Sequence, residues 1–315
     1  MQKDKCNILV TGGAGFVGSA VAEKLASNPD NFVVIVDNLI TGSMDKIPQS
    51  AHNNVKFIKC DVNNFDDISG VFFAYGFEYV WHYAALVGVK RTLKNPVMVL
   101  NDIKGINNIL TLSKNTGVKR VFYSSSSEVY GEPVEFPQNE ETTPLNSRLP
   151  YAIVKNVGEA YLRSFKKEYG LDFTIFRFFN TYGPKQSRDF VISRFIARAL
   201  EGKDITIYGD GSQTRTFCYV EDNVDACLTA FYENKYVNDV VNIGGGDELA
   251  IVDLAKLIIK VTNSKSKLVN LEALEEGDMT RRQPDVSKMT TLLKRTPLPL
   301  EEGIARILAN TKFIM

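Results

Sequence analysis

Three glycines at regular spacing constrain this chain more than any other feature. Gly12, Gly15 and Gly18 lie in Val10-Thr11-Gly12-Gly13-Ala14-Gly15-Phe16-Val17-Gly18, between a short β-branched run, Asn7–Val10, and a helical pattern, Ser19–Ser27. A strand turning at once into a helix needs backbone angles that side chains disfavour, and a ligand at that turn needs bare N–H groups. The helix N-terminus, with Phe16 and Val17 at its start, favours negative charge. The second apolar run, Phe32–Val36, ends in Asp37-Asn38, about 20 residues on, where an adenosine ribose would offer its hydroxyls. An acid there accepts from a 2′-hydroxyl and repels a 2′-phosphate. The pattern therefore predicts a dinucleotide, NAD in preference to NADP, with Asp61-Val62 after the third strand beside the adenine.

Further runs repeat the rhythm. Val55–Ile58, Tyr79–His82, Arg120–Ser124 and Phe173–Arg177 read as strands, while Ile103–Thr116 and the stretch from about Tyr151 to Tyr169 carry apolar residues at helical spacing. The expected fold class is α/β: a Rossmann-type doubly wound parallel sheet, with a smaller mixed α/β substrate-binding lobe. After Asn180 proline and glycine cluster and the alternation breaks, so the dinucleotide domain is placed at 1–180 and the lobe at 181–315. Short stretches such as Val240–Ile243 could return to the main sheet.

Charge narrows the partners. Lysine plus arginine and aspartate plus glutamate number 37 each, a balance that argues against long nucleic acid or anionic membrane as the partner. The run Met1–Val10 is too short for a secretion signal, and no later apolar stretch approaches membrane length, so a soluble, cytoplasmic protein is expected. Cys6, Cys60, Cys218 and Cys227 are dispersed, and with His52 and His82 the only histidines, no metal site is expected.

Acid–base groups gather in the middle of the chain. Tyr151 and Lys155 stand four residues apart, on one face of the expected helix. A lysine cation, with a positive nicotinamide ring nearby, would move the phenol from its ordinary pKa of about 10 towards neutrality. Tyr151 could then take the proton of a sugar hydroxyl as the carbon gives up hydride. The strand Arg120–Ser124 runs into Ser125-Ser126-Ser127-Glu128, at the carboxyl end of a parallel strand, where such sheets bind ligands. Ser126 can hydrogen-bond the hydroxyl that Tyr151 attacks. His82 reads as a packed residue lining the cofactor cleft.

Taken together, Gly12-x-x-Gly15-x-x-Gly18, Asp37, His82-Tyr83-Ala84-Ala85, Ser126, Tyr151/Lys155 and Phe179-Asn180-Thr181-Tyr182-Gly183-Pro184 resemble the NAD-dependent epimerase/dehydratase family, from Asn7 to about Leu308. The resemblance implies NAD as cofactor, lying along Ala84, Ala85 and Asn101 besides the residues above, and a nucleotide-sugar substrate that is UDP-linked. It places Asn180 on the diphosphate and gives Arg215, in Gly211-Ser212-Gln213-Thr214-Arg215, the β-phosphate. It also implies a homodimer, paired through a helical face formed by 101–116 and 151–169.

Within the family, oxidation at C4 is shared and the fate of the keto sugar differs. A 4-epimerase needs only Ser126, Tyr151 and Lys155, and is the leading expectation. A UDP-glucuronate decarboxylase resembles this chain in Ser126-Ser127-Glu128 and in Arg282, a cation suited to a sugar carboxylate. Against it, Ala84-Ala85-Leu86-Val87-Gly88-Val89 is closer to the epimerases. A 4,6-dehydratase would carry an aspartate where Ser127 stands, which makes dehydration the weakest of the three. A NAD-binding sensor without chemistry would have lost the Tyr/Lys pair or the glycine turn, and both are intact.

Overall fold

The computed structural model of the chain describes residues 5–272 and 281–310. Residues 1–4 of the opening segment, and 273–280 and 311–315 of the expected lobe, lie outside the described residues. Seven strands form the central sheet: β1 (Cys6–Thr11), β2 (Asn31–Asp37), β3 (Val55–Lys59), β4 (Tyr79–His82), β5 (Arg120–Ser126), β6 (Asp172–Phe178) and β7 (Asp239–Ile243). Their order is β7-β6-β5-β4-β1-β2-β3 and every pairing is parallel. This is a Rossmann-type α/β sheet, and the late stretch ending at Ile243 does rejoin it. The order reverses direction between β1 and β4, so a crevice opens at the carboxyl ends of those two strands.

Both sheet faces are buried. Leu9, Val34 and Val36 point to one side, where Ile68, Phe72, Ile106, Ile109, Leu162 and Phe165 cover them. Ile8, Val10, Val33 and Ile35 point to the other, under Val21, Leu25, Val224, Leu228 and Leu292. Alternation within each strand is the period-2 geometry of a pleated sheet buried on both sides. Trp81 and Phe122 stack 4.3 Å apart on the second face, with Phe231 edge-on to Phe122 at 5.5 Å. A third cluster, including Phe195, Ile196, Leu254, Ile258, Ile304 and Ile307, lies apart from the sheet. Its helices Val191–Leu200, Ile251–Thr262 and Leu300–Ala309 pack with the parallel strand pair Ile205–Tyr208 and Leu268–Leu271.

The helix Pro150–Tyr169 carries the acid–base pair. Proline at its first turn pre-sets the backbone, and Gly170 ends it in a left-handed conformation. Ala152, Lys155, Gly158, Glu159, Leu162 and Phe165 make its buried stripe. A side chain at Gly158 would run into the Tyr123 hydroxyl, so the missing Cβ lets the helix lie close on β5. No described helix is long and apolar enough to cross a membrane.

Candidate active site

A cavity of about 570 Å³ opens at the crevice between β1 and β4, in the size range of small-molecule sites. One end is the glycine turn. Gly12 has φ +68°, and a Cβ there would come 2.6 Å from the Ala84 backbone nitrogen; one at Gly18 would collide with the Gly12 carbonyl oxygen. The turn and the β4 loop therefore approach each other as only glycine allows. Asp37 is fixed beside them: its carboxylate accepts from Ala14 N at 3.1 Å and Leu39 N at 2.8 Å. Burial pushes this carboxyl above its usual range, with those two amides opposing the shift. Gly12, Gly15, Phe16, Val17, Gly18, Asp37, Asn38, Asp61, Val62, Ala84, Ala85 and Asn101 all line the cavity. A cradle of bare backbone followed by a held acid fits a dinucleotide.

The other end carries the acid–base groups. Ser126, Ser127, Glu128, Tyr151, Asn180 and Arg282 line it. Ser126 ends β5 and its hydroxyl accepts from Glu128 N at 3.2 Å, starting the short 3₁₀ turn Ser127–Tyr130. Glu128 and Arg282 form an ion pair at 3.7 Å, and Arg282 is 7 % exposed. Asn180 sits at φ +33°, a conformation asparagine tolerates better than most residues, and its amide donates to Thr216 O at 2.9 Å.

Two expected residues are not on the cavity wall. Lys155 does not line the cavity; it lies directly behind, its Nζ donating to Ser124 O at 2.6 Å and 5.7 Å from the Tyr151 ring centre. Arg215 is also absent from the lining. The strand Thr214–Thr216 pairs with Glu248–Ala250, and the guanidinium turns back to donate to Thr214 O at 2.7 Å. His82 is likewise behind the wall, not on it. The Thr11 hydroxyl oxygen accepts from Tyr83 N and Ala84 N, so its proton goes to His82 Nδ1 at 2.8 Å. Burial, with Lys155 nearby, takes the imidazole down to about 3, and it stays neutral.

The electrostatics of Tyr151 depart from the sequence reading. Burial and then the Glu128 carboxylate hold its phenol well above the ordinary value, while a hydrogen bond from Ser126 and the Arg282 charge pull the other way. Lys155 is itself brought down to about 8 by burial, opposed by the Asp102 carboxylate. The lysine thus keeps its charge at neutral pH and loses it just above, and the protein alone does not bring the phenol to neutrality. Asp102 was not foreseen. It lines the cavity next to Asn101 and is anchored by Leu86 N at 2.7 Å. Leu86–Gly88, Gln186 and Phe190 also line the site. The first of these stood in the sequence beside Ala84-Ala85; the others follow Gly183-Pro184 with no motif of their own.

Residues 8–244 match the NAD dependent epimerase/dehydratase family. The chain belongs to that family. It is 35 % identical over 312 residues to UDP-glucuronic acid decarboxylase 1 of Xenopus tropicalis, covering 96 % of this chain and 71 % of that one. It is 35 % identical over 319 residues to UDP-N-acetyl-alpha-D-glucosaminuronate decarboxylase of Bacillus cytotoxicus, covering 96 % of each. Among solved structures, UDP-glucose 4-epimerase of Thermotoga maritima, with UDP-glucose, superposes with TM-score 0.90 at 34 % identity over 97 % of this chain and 99 % of that chain. The protein is therefore an NAD-dependent enzyme of a family that includes epimerases and decarboxylases of UDP-sugars.

Proposed function

We propose that the enzyme oxidises C4 of a UDP-linked hexuronate and releases the sugar carboxylate as carbon dioxide. The observation that carries this reading is the place of Arg282. It is a buried cation on the wall that also holds Glu128 and Tyr151, and both charges act on the Tyr151 phenol. A buried guanidinium beside a sugar hydroxyl site fits a carboxylate through its planar fork. This position puts decarboxylation ahead of 4-epimerisation, reversing the order the sequence favours.

NAD, held along Gly12, Gly15, Gly18 and Asp37, would supply the group that takes the C4 hydride and gives it back. Tyr151, as the phenolate that the positive ring of bound NAD⁺ would favour over the neutral phenol of the protein alone, takes the C4 hydroxyl proton while Ser126 holds the same oxygen. The ketone then lies β to the C6 carboxylate, which leaves as carbon dioxide as the electron pair moves towards the C4 oxygen. The Tyr151 phenol, reprotonated in the first step, donates to that oxygen and stabilises the developing enolate; C5 then takes a proton from solvent, which restores the C4 ketone before it is reduced. A high phenol pKa suits this donor role. Glu128 balances Arg282 when no carboxylate is present, and the remainder of the lobe at 181–315 would take the nucleotide, with Asn180 at the diphosphate.

The second reading, a 4-epimerase, is favoured by the apolar run Leu86–Val87 on the cavity wall. Incubation with NAD⁺ and, separately, UDP-glucuronate, UDP-glucose and UDP-N-acetylglucosamine separates the two by mass spectrometry and NMR. Loss of carbon dioxide from UDP-glucuronate is expected. An isomer of unchanged mass from a neutral sugar, with UDP-glucuronate untouched, would reject the proposal.

A further inference from the structure

Beneath the sugar end of the cavity lies a buried polar chain that no step above uses. Glu159, eight residues after Tyr151 on the same helix, receives both Arg177 Nε at 2.9 Å and Nη2 at 2.7 Å, in bidentate fashion. The Ser125 hydroxyl donates to the same carboxylate at 2.6 Å, one residue before Ser126. Arg177 Nη1 continues to the Tyr130 hydroxyl at 2.7 Å, and that hydroxyl donates to Asn242 Oδ1 at 2.8 Å. Tyr130 closes the turn that carries Glu128. Asn242 Nδ2 donates to Gln138 O at 2.9 Å, and Gln138 N donates to Gln283 O at 2.7 Å, next to Arg282.

Glu159, Arg177, Tyr130 and Asn242 are each at most 1 % exposed. A fully buried ion pair repays its desolvation poorly as a source of stability, and well-packed apolar residues often do as well. Apolar residues would not, however, fix the directions of four segments at once. Here one set of hydrogen bonds ties the Tyr151 helix, the end of β5, the Glu128 turn and the backbone beside Arg282 to a common frame.

We infer that the Glu159–Arg177–Tyr130–Asn242 chain is a positioning device that sets Arg282 and Glu128 against the sugar carboxylate, with Tyr130 as its central link. This rests on the uronate reading of the site. Tyr130 touches neither substrate nor cofactor in this role; it acts through Asn242 and the 138–283 backbone pairing.

The test compares binding of UDP-glucuronate and UDP-glucose to the NAD-loaded enzyme by calorimetry, for wild type, Tyr130→Phe, Arg282→Gln and the double variant. Tyr130→Phe should weaken UDP-glucuronate about ten- to hundredfold, as small displacements of a binding group do, and leave UDP-glucose and NAD unchanged. The double variant should bind no worse than Arg282→Gln alone, since the hydroxyl acts only by placing that arginine. Should Tyr130→Phe not fold, Asn242→Ser cuts the same chain one link further on and carries the same expectation. Equal weakening of both nucleotide sugars, or losses that add in the double variant, would overturn the positioning role while leaving the uronate reading in place. An Arg282→Gln enzyme that still prefers UDP-glucuronate as wild type does would overturn the uronate reading, and this inference with it.

Discussion

Tyr151 sits where burial and opposing charges meet: burial, then Glu128 and Asp102, raise its phenol, and Arg282 lowers it. Tyr151→Phe keeps the ring and removes the proton carrier, so turnover should fall between about 100-fold and 10,000-fold with NAD binding retained, as read by product formation and cofactor titration. Asp102 tests the lysine behind it. Lys155 is charged below about 8, and the Asp102 carboxylate holds that value up. Asp102→Asn removes the negative charge, lowers the lysine further and should move the alkaline limb of the pH–rate profile to lower pH; an unmoved limb would mean Lys155 does not govern it. At this scale the legible residues were those within a short motif: Gly12, Gly15, Gly18, Asp37, Ser126 and Tyr151 all reach the cavity. Where Arg215 points was not legible, because its direction depends on which strand Thr214–Thr216 pairs with, and no local pattern carries that information. Asp102 was missed for a related reason, since its neighbours Leu86 and Lys155 are distant in sequence.

Elements were legible wherever hydrophobic period and end signals agreed. The long helix was expected from about Tyr151 to Tyr169 and spans Pro150–Tyr169, and each of the strands expected in the first half is present within a residue or two at either end. The helix Phe65–Tyr75 is hard to read from the sequence, although Asn64 caps it through Asp66 N and Gly76 ends it in a left-handed turn. Its exposed Phe65 and Phe73 blur the amphipathic pattern. The seating of the Pro150–Tyr169 helix makes a prediction of its own. Gly158→Ala places a methyl group against Tyr123 and must lift the helix from β5. Overpacking of this kind costs about 1–3 kcal/mol, measurable by urea denaturation. Turnover should drop as well, because Tyr151 and Lys155 ride on the same helix. A variant as stable and as active as wild type would show that the helix has room to spare.

For the whole molecule, the expected pairing of two copies has a surface to examine. Val97, 74 % exposed, and Leu100, 41 %, lie just before the 101–116 stretch of the expected face, and Ile153, 40 % exposed, lies within its 151–169 stretch; the helices that carry them pack beside one another. Sedimentation at micromolar concentration should give a dimer, and Val97→Glu with Ile153→Glu should give a monomer; a wild-type monomer would reject the pairing. Layering was legible from the strand–helix rhythm, whereas the path of the later chain was not, apart from the stretch Val240–Ile243. Helix Val220–Tyr232, strand β7 and helix Ser287–Leu293 all return to the sheet begun by the first residues. That return governs how the protein is made. As the ribosome releases the first 180 residues, Trp81, Phe122 and Phe176 have no cover, and the layer that shields them is complete only once residue 293 has emerged. The nascent chain must pass through a sticky, half-clad stage in which chaperones compete with aggregation, and a gene split at codon 180 would yield two halves soluble only when produced together.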